Sequence, residues 1–213
     1  MIPKIDSIDL AMYKEFGLLV HEEERIIKIN GEITNDLADF FNSALLALEK
    51  DDPGKDISVY INSPGGDVVA GLSMIDTMKT ISCDVSTVCR GLAASMGAMI
   101  LMSGEKGKRR ILPHSTVLIH QPLGGTEGQA ADIEIYAREI KRKKEELFSM
   151  ICSATGQSMD KVAIDCDRNY IMTAKEAKEY GIVDEIIEPH FRRSSMLETT
   201  ITSGDQILLE ACV

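Results

Sequence analysis

Ser95 stands between two alanines and a Met-Gly pair in the stretch GLAASMGAMILMSG, Gly91 to Gly104. A hydroxyl at the mouth of an apolar helix is either packing filler or a nucleophile lifted onto a helix N-terminus. This stretch alone leaves both readings open. A second loop, SPGG (Ser63 to Gly66), also follows an apolar run and precedes a helical one. Helix N-termini expose unpaired N–H groups and the positive end of the helix dipole. Two such glycine-bearing loops can form an oxyanion hole, with amides aimed at a developing negative oxygen. The sequence A-A-S-M-G approximates the G-x-S-x-G nucleophile elbow, a weak match by itself.

A serine nucleophile needs a base. The chain has four histidines. His21 lies in the charge run HEEER and His190 lies near the C-terminal end, so both are expected to face solvent. His114 follows a proline in a turn. His120 ends the apolar strand TVLIHQP and must point into the core or into a cleft. A hydrogen-bonded core histidine is one account of it. A strand-end His about 25 residues after a helix-start Ser also fits a Ser–His pair.

The elements that would carry these residues alternate. RIIKINGEI (Arg25 to Ile33) reads as a strand. Thr34 or Asn35 is an N-cap for DLADFFNSALLALEK, whose apolar spacing is helical. ISVYINSPGG is a strand running into a Gly-rich loop, and DVVAGLSMIDTMKTI is the next helix. DVSTVCRGLAA is a third strand, Ser95 to Met102 a buried helix, GEKGKRR a polar turn and STVLIHQP a further strand. Strand and helix in alternation predict an α/β fold with a largely parallel sheet. From Gly128 one long helical stretch follows, with Ile133, Tyr136, Ile140, Leu147 and Ile151 on one side and Glu139 and Lys143 as an i,i+4 pair. About 25 residues at 1.5 Å each make a helix of roughly 37 Å, long enough to project and meet a partner. TAKEAKEYGIVDEII closes the pattern with a helix and a short strand. Residues 1–24 show no clean period.

The bulk composition sets limits. The chain has 213 residues, 44% of them hydrophobic and 27% charged, with a formal net charge of -11. That suits one domain with a real core. The acidity argues against nucleic acid, whose phosphates need a basic face, and against an anionic membrane surface. No apolar run is long enough to span a bilayer, and the first residues have no apolar core of signal-peptide type. The five cysteines, Cys83, Cys89, Cys152, Cys166 and Cys212, are odd in number and never spaced CxxC. That pattern predicts buried thiols in a reducing cytoplasm, with no metal and no disulfide duty.

The segments YINSPGG, DVSTVCRGLAASMGA, GEKGKR, LIHQPLGG, GQAADIEIYAREI, TGQS and AKEAKEYGIVDEII, between about residues 25 and 188, together resemble the ClpP family of serine peptidases. The resemblance implies a ClpP/crotonase-like fold of repeated β-β-α units with a projecting handle helix. It also implies two stacked heptameric rings around a chamber, an AAA+ ATPase partner, other ClpP-type subunits and unfolded polypeptide substrates. No cofactor is implied, and the cytoplasm is the expected location. By the same resemblance Ser95 is the nucleophile and His120 the general base, and the amides of Gly66 and Met96 form the oxyanion hole. The handle spans about residues 121–155 within a peptidase domain of residues 25–190. Residues 1–24 match no usual family sequence at the place of the axial pore loop, and residues 191–213 form a tail with no family counterpart.

Two further departures qualify that picture. The family's triad acid falls on Asn169 in DCDRNYIM, and Asn carries no charge to stabilise an imidazolium. Asp165 or Asp167 could replace it only through a shift of the backbone. Asp167 and Arg168 also match the family's ring–ring contact pair. In the ATPase-docking pocket Tyr60 and Ile187 fit, but Ser58 and Thr80 stand where aromatics are common. A catalytically weak or silent structural subunit of a mixed ring is therefore a competing reading, favoured by Asn169. A crotonase-type acyl-CoA enzyme is another, disfavoured by the Ser-plus-His pair. An α/β-hydrolase is disfavoured by chain order, since its acid lies between Ser and His.

Overall fold

Three strand–helix units in succession build the centre of the protein. The computed structural model describes residues 17–188. Its strands are β1 (Leu18–His21), β2 (Ile26–Asn30), β3 (Ile57–Ser63), β4 (Val85–Ala94), β5 (Arg109–Ile111), β6 (Thr116–Ile119), β7 (Tyr170–Thr173) and β8 (Glu185–Ile186). Its helices are α1 (Asn35–Asp51), α2 (Val68–Thr80), α3 (Met96–Met102), α4 (Ala130–Thr155), α5 (Met159–Asp165) and α6 (Ala174–Tyr180). One sheet runs in the order β1-β2-β3-β4-β5-β8, and β6 joins β4 to β7. The pairings from β2 through β5 to β8, and of β4 with β6, are parallel, while β1 and β7 are antiparallel to their neighbours. This is the largely parallel α/β architecture expected from the alternating pattern.

Local chemistry sets the helix ends. Thr34 starts α1 by accepting the Leu37 N–H at 3.2 Å, and Asp67 starts α2 by accepting the Ala70 N–H at 2.7 Å. Thr173 and Glu176 form a reciprocal capping box on α6, and Gly181 ends that helix in the left-handed region at φ 97°. Between the strands and the helices lies a core of fully buried side chains that includes Ile27, Ile29, Leu37, Phe41, Ile57, Ile61, Met74, Ile100 and Leu101. Alternation on β3 puts Ile57, Val59 and Ile61 in that core, while Ser58 and Tyr60 are half-buried on the other face.

β4 serves two partners. Its first half pairs with β5 through Thr87–Cys89, and its second half pairs with β6 through Leu92–Ala94. The change of partner falls at Gly91, whose φ is 102° and where a Cβ would stand 2.7 Å from Asn62 Oδ1. That same oxygen accepts the Leu92 N–H at 3.2 Å, so a side chain plugs the irregularity that the ladder leaves.

The structure corrects the sequence reading in five places. The sheet begins at Leu18, inside the segment read as patternless, because β1 has only four residues and its burial does not alternate. His21, expected in solvent, has a side chain only 10% exposed, and its Nε2 lies 2.8 Å from Lys28 Nζ. Arg109–Ile111 is a strand within the stretch read as a polar turn, and α5 and β7 occupy a stretch given no element. On α4 Arg142 pairs with Glu139 and with Glu146, and Lys143 pairs with Glu146, while the pair Glu139–Lys143 is not formed. The reading of residues 1–16 as part of an axial loop, and those of His190, Cys212 and the tail, lie outside the described residues.

Arg109, hidden in β5 at 4% exposure, explains the misreading of its segment. Asp184 accepts from its Nε at 3.0 Å and its Nη2 at 2.6 Å, and the Ala154 carbonyl accepts from its Nη1 at 2.9 Å. Burial pushes the Asp184 carboxyl upward, but the Arg109 guanidinium and backbone N–H bonds outweigh it and hold the group below its usual range.

Arg25 is also buried, at 6% exposure. Its guanidinium donates to the carbonyls of Leu48 at 2.8 Å, Asp52 at 2.9 Å, Lys55 at 3.2 Å and Asp56 at 3.3 Å. It thus satisfies the end of α1 and the turn beyond it. Arg25→Met keeps the length of the side chain and removes the shared donor from all four carbonyls, leaving those of Leu48 and Asp52 with the backbone N–H groups of Asp52 and Lys55, at 3.2 and 3.4 Å. The expected loss is about 2–4 kcal/mol, read as a lowered denaturation midpoint with the slope unchanged; an unaltered midpoint would contradict the capping role.

Candidate active site

Ser95 is held in a backbone conformation that L-residues avoid. Its φ and ψ are 54° and -122°. The only other non-glycine residue with positive φ among the described residues is Arg25. Such a conformation costs about 1–3 kcal/mol and persists only where the surroundings impose it. Here they do so on two sides. The Ser95 N–H donates to the Leu118 carbonyl at 2.9 Å, which ties the turn to β6, and its own carbonyl accepts the N–H groups of Ala98 and Met99. Behind it every residue of α3 is buried, so the turn has a rigid backing.

The SPGG loop lies directly against this turn. A Cβ on Gly65 would stand 2.6 Å from Ser95 Cβ and 3.1 Å from the Met96 nitrogen. Gly66 forms an isolated parallel bridge to Ile33. The bridge uses the Gly65 carbonyl and the Asp67 N–H, at 2.8 and 2.9 Å. In a parallel bridge the central residue turns its own N–H the other way, and among the described residues the Gly66 amide has no acceptor. Gly66 has φ 152°, and a Cβ there would meet the Ile33 carbonyl oxygen at 2.2 Å; only glycine keeps this loop in place. Among the described residues the Met96 N–H, at the first position of α3, has no acceptor either.

Strand register brings the other two residues in. β4 and β6 run parallel with Ala94 opposite Leu118, so Ser95 and His120 both emerge just past the end of that pairing. β6 and β7 run antiparallel with Ile119 opposite Tyr170, so the next pair outward is His120 and Asn169. Asn169 Oδ1 stands 3.1 Å from His120 Nδ1. A protonated Nδ1 donates to that oxygen and leaves Nε2 as the basic nitrogen. Asn can also turn its amide and donate to an unprotonated Nδ1, so it selects the tautomer less strictly than a carboxylate, which only accepts. His120 and Ser95 share the walls of one narrow pocket of 20 Å³ with apolar Met96, Met99, Ile119, Leu147 and Ile151. Among the described residues Ser95 Oγ has no hydrogen-bond partner. A wider cleft of 340 Å³ opens beside it, lined by Gly66, Val68, Pro122, Leu123 and Ile140.

The nearby acids are otherwise engaged. Asp165 Oδ2 accepts from Lys161 Nζ at 2.8 Å and from the Tyr180 hydroxyl at 2.9 Å. Burial, aided by that bond, pushes the Tyr180 hydroxyl far above its usual range. Asp167 and Arg168 sit on the exposed turn before Asn169, 3.9 Å apart, with side chains 67% and 94% exposed. Burial raises the Cys166 thiol to about 12, so this cysteine next to the turn is an inert thiol. Ile187 lines a cleft of 380 Å³ with Leu112, Pro113 and His114, and Tyr60 is half-buried on β3. Among the described residues no cluster of His, Cys, Asp or Glu could hold a metal ion.

The sequence reading missed two residues that touch this site, Gln121 and Lys144. Gln121 Nε2 donates to the Asp167 carbonyl at 2.9 Å, and Gln121 Oε1 accepts from Lys144 Nζ at 2.8 Å. The visible signal was a glutamine directly after the strand-end histidine.

A strained serine backed by a buried helix, a histidine one register step away and two free amides on abutting loops describe a site for acyl transfer. Comparison with known proteins agrees. Residues 11–190 match the model of the Clp protease family. The chain belongs to the Clp protease family. Among its relatives, the ATP-dependent Clp protease proteolytic subunit of Bacteroides fragilis is 56% identical over 164 residues, covering 77% of this chain and 79% of the relative. The protein of the same name from Bacteroides thetaiotaomicron is 54% identical, covering 77% and 74%. That from Porphyromonas gingivalis is 54% identical over 182 residues, covering 85% and 81%. The Clp protease match covers all of the site described above.

Proposed function

We propose that this protein is the proteolytic subunit of an ATP-dependent Clp protease, a serine endopeptidase that cleaves unfolded polypeptides inside a ring-shaped chamber. The observation that carries this reading is the convergence, through the register of β6, of Ser95 from β4 and Asn169 from β7 upon His120. Ser95 Oγ attacks the scissile carbonyl while His120 takes its proton. The Gly66 and Met96 amides receive the oxyanion, and His120 then passes the proton to the leaving amine. The wider cleft beside Ser95, lined by Val68, Pro122, Leu123 and Ile140, suits an apolar side chain next to the scissile bond.

The assembly reading rests on α4. It runs for 26 residues, and its C-terminal part packs in the core through Leu147, Phe148 and Ile151. Towards its N-terminal end Ile133, Ile135 and Tyr136 are 41%, 54% and 56% exposed. An apolar face of that kind on a projecting helix favours stacking against a second ring, with Asp167 and Arg168 as contacts and residues 121–155 as the handle of a peptidase domain spanning 25–190. The partner is an AAA+ ATPase, with Tyr60 and Ile187 at its docking surface, and the location is the cytoplasm. Among the described residues no helix is long and apolar enough to cross a membrane.

Asn169 favours a second reading, a weakly active or silent subunit within a mixed ring. Its amide offers a dipole to the imidazolium that forms as Ser95 attacks, where a carboxylate would offer a full charge. Asn169→Asp should raise kcat on a short fluorogenic peptide, by up to the order of 10⁴, with little change in KM, because the charge acts on the transition state. If the variant in the same oligomeric state is no faster than wild type, the amide is not what limits turnover.

A fluorophosphonate probe should label the wild-type protein, and Ser95→Ala should abolish labelling; labelling that persists would exclude Ser95 as the nucleophile. Light scattering at micromolar concentration should show a species far above 23.4 kDa, consistent with a heptamer or a tetradecamer. A folded protein that stays strictly monomeric would overturn the ring assembly.

A further inference from the structure

We propose that Gln121 and Lys144 are positioning residues that hold His120 and Asn169 face to face; the inference rests on the Ser95–His120–Asn169 reading above. The β6–β7 ladder ends at the pair Ile119 and Tyr170. His120 and Asn169 therefore sit one step past the last backbone pairing, and Asn169 is on an exposed turn. Nothing in the ladder itself fixes them. Gln121 closes the gap from the far side. Its backbone N–H donates to the Cys166 carbonyl at 2.7 Å, and its side-chain Nε2 donates to the Asp167 carbonyl at 2.9 Å. The turn that carries Asn169 is thus anchored to β7 on one side and to Gln121 on the other.

Lys144 orients the clamp. It is half-buried on α4, with its ammonium 5.3 Å from the centre of the Phe148 ring. Among the described residues its only hydrogen bond is to Gln121 Oε1, at 2.8 Å, and it has no carboxylate partner. An ammonium has donors only, so it fixes the amide oxygen of Gln121 towards itself and the NH₂ towards Asp167. A reversed amide would point its hydrogens at the ammonium and its oxygen at a carbonyl. The order Lys144, Gln121, Asp167 carbonyl is therefore a one-way chain of donors. It ends two residues before the amide that faces His120.

The test compares purified wild type with Gln121→Ala, Gln121→Glu, Lys144→Met and Lys144→Arg. The readouts are steady-state hydrolysis of a fluorogenic peptide and the rate of Ser95 acylation by a fluorophosphonate. Gln121→Ala should lower kcat, or the acylation rate where turnover is too slow to follow, by about tenfold, with KM changed by less than about twofold. Gln121→Glu should fare no better, although it is isosteric and can pair with Lys144, because a carboxylate has no donor for the Asp167 carbonyl. Lys144→Met should cost about threefold and Lys144→Arg, which restores a donor, close to nothing. The double variant Gln121→Ala with Lys144→Met should be no slower than Gln121→Ala alone, since Lys144 acts through Gln121.

A folded Gln121→Ala or Gln121→Glu variant that keeps wild-type kcat and acylation rate, in the wild-type oligomeric state, overturns the clamp. Should Gln121→Ala not fold, Gln121→Glu decides the same point. Losses that multiply in the double variant overturn the chain from Lys144 to Gln121. A wild type that takes no probe at Ser95 overturns the nucleophile reading, and this inference with it; a wild type that reacts while the variants react equally fast overturns this inference alone.

Discussion

The register of β6 is the constraint on which the site depends. This four-residue strand pairs in parallel with the second half of β4 and antiparallel with β7. Side chains on a strand alternate between faces, so a slip of one residue on either edge would turn His120 away from both partners. The irregularity of β4 at Gly91 makes the double pairing possible. Without a change of partner there, β5 would run on beside β4 and β6 would have no edge to join. Asn62, which fills that irregularity, also donates to Asn30 Oδ1 at 2.6 Å, so the placement of the site reaches back to β2 and β3.

Strain and rigidity are coupled here. The conformation of Ser95 is unfavourable by itself, and what maintains it is burial immediately behind. All seven residues of α3 are buried, and a Cβ on Gly71 of α2 would stand 2.5 Å from the end of the Met96 side chain. α2 thus packs closely on α3, and a larger residue at Gly71 would push on the Met96 side chain directly after Ser95. The two loops beside it are glycine-rich for a related reason. A Cβ on Gly65 or Gly66 would strike backbone of the neighbouring segment.

Charge, by contrast, is sparse at the site. The acids near His120 are drawn into other pairs, Asp165 with Lys161 and Tyr180, and Asp167 with Arg168. What faces the imidazole is an amide, and beyond it Lys144 contacts Gln121. Geometry alone then does most of the work that a buried carboxylate would share. This makes the held position of Asn169 more consequential, since a dipole loses strength with distance and angle faster than a charge does.

Much of this was legible in the sequence. The order of strands and helices followed from apolar periodicity, and Thr34 and the glycines of the two loops marked element ends. Ser95 and His120 stood out because a hydroxyl and an imidazole were placed where apolar runs end. Other features were not legible. β1, β5 and β7 are too short, at four, three and four residues, to show a period, and Arg109 looks like turn composition until Asp184 and the Ala154 carbonyl, from distant parts of the chain, meet its guanidinium. His21 reads as a surface residue until β1 folds onto β2 and brings Lys28 to it. Gln121 and Lys144, 23 residues apart, carry no periodic signal at all. The sequence by itself determined which residue types lie at the ends of which elements, because backbone propensity and burial act over a few neighbours. Tertiary structure alone decided which of those ends meet, because register, partner exchange in β4 and the packing of α4 against the sheet are set by contacts between distant segments.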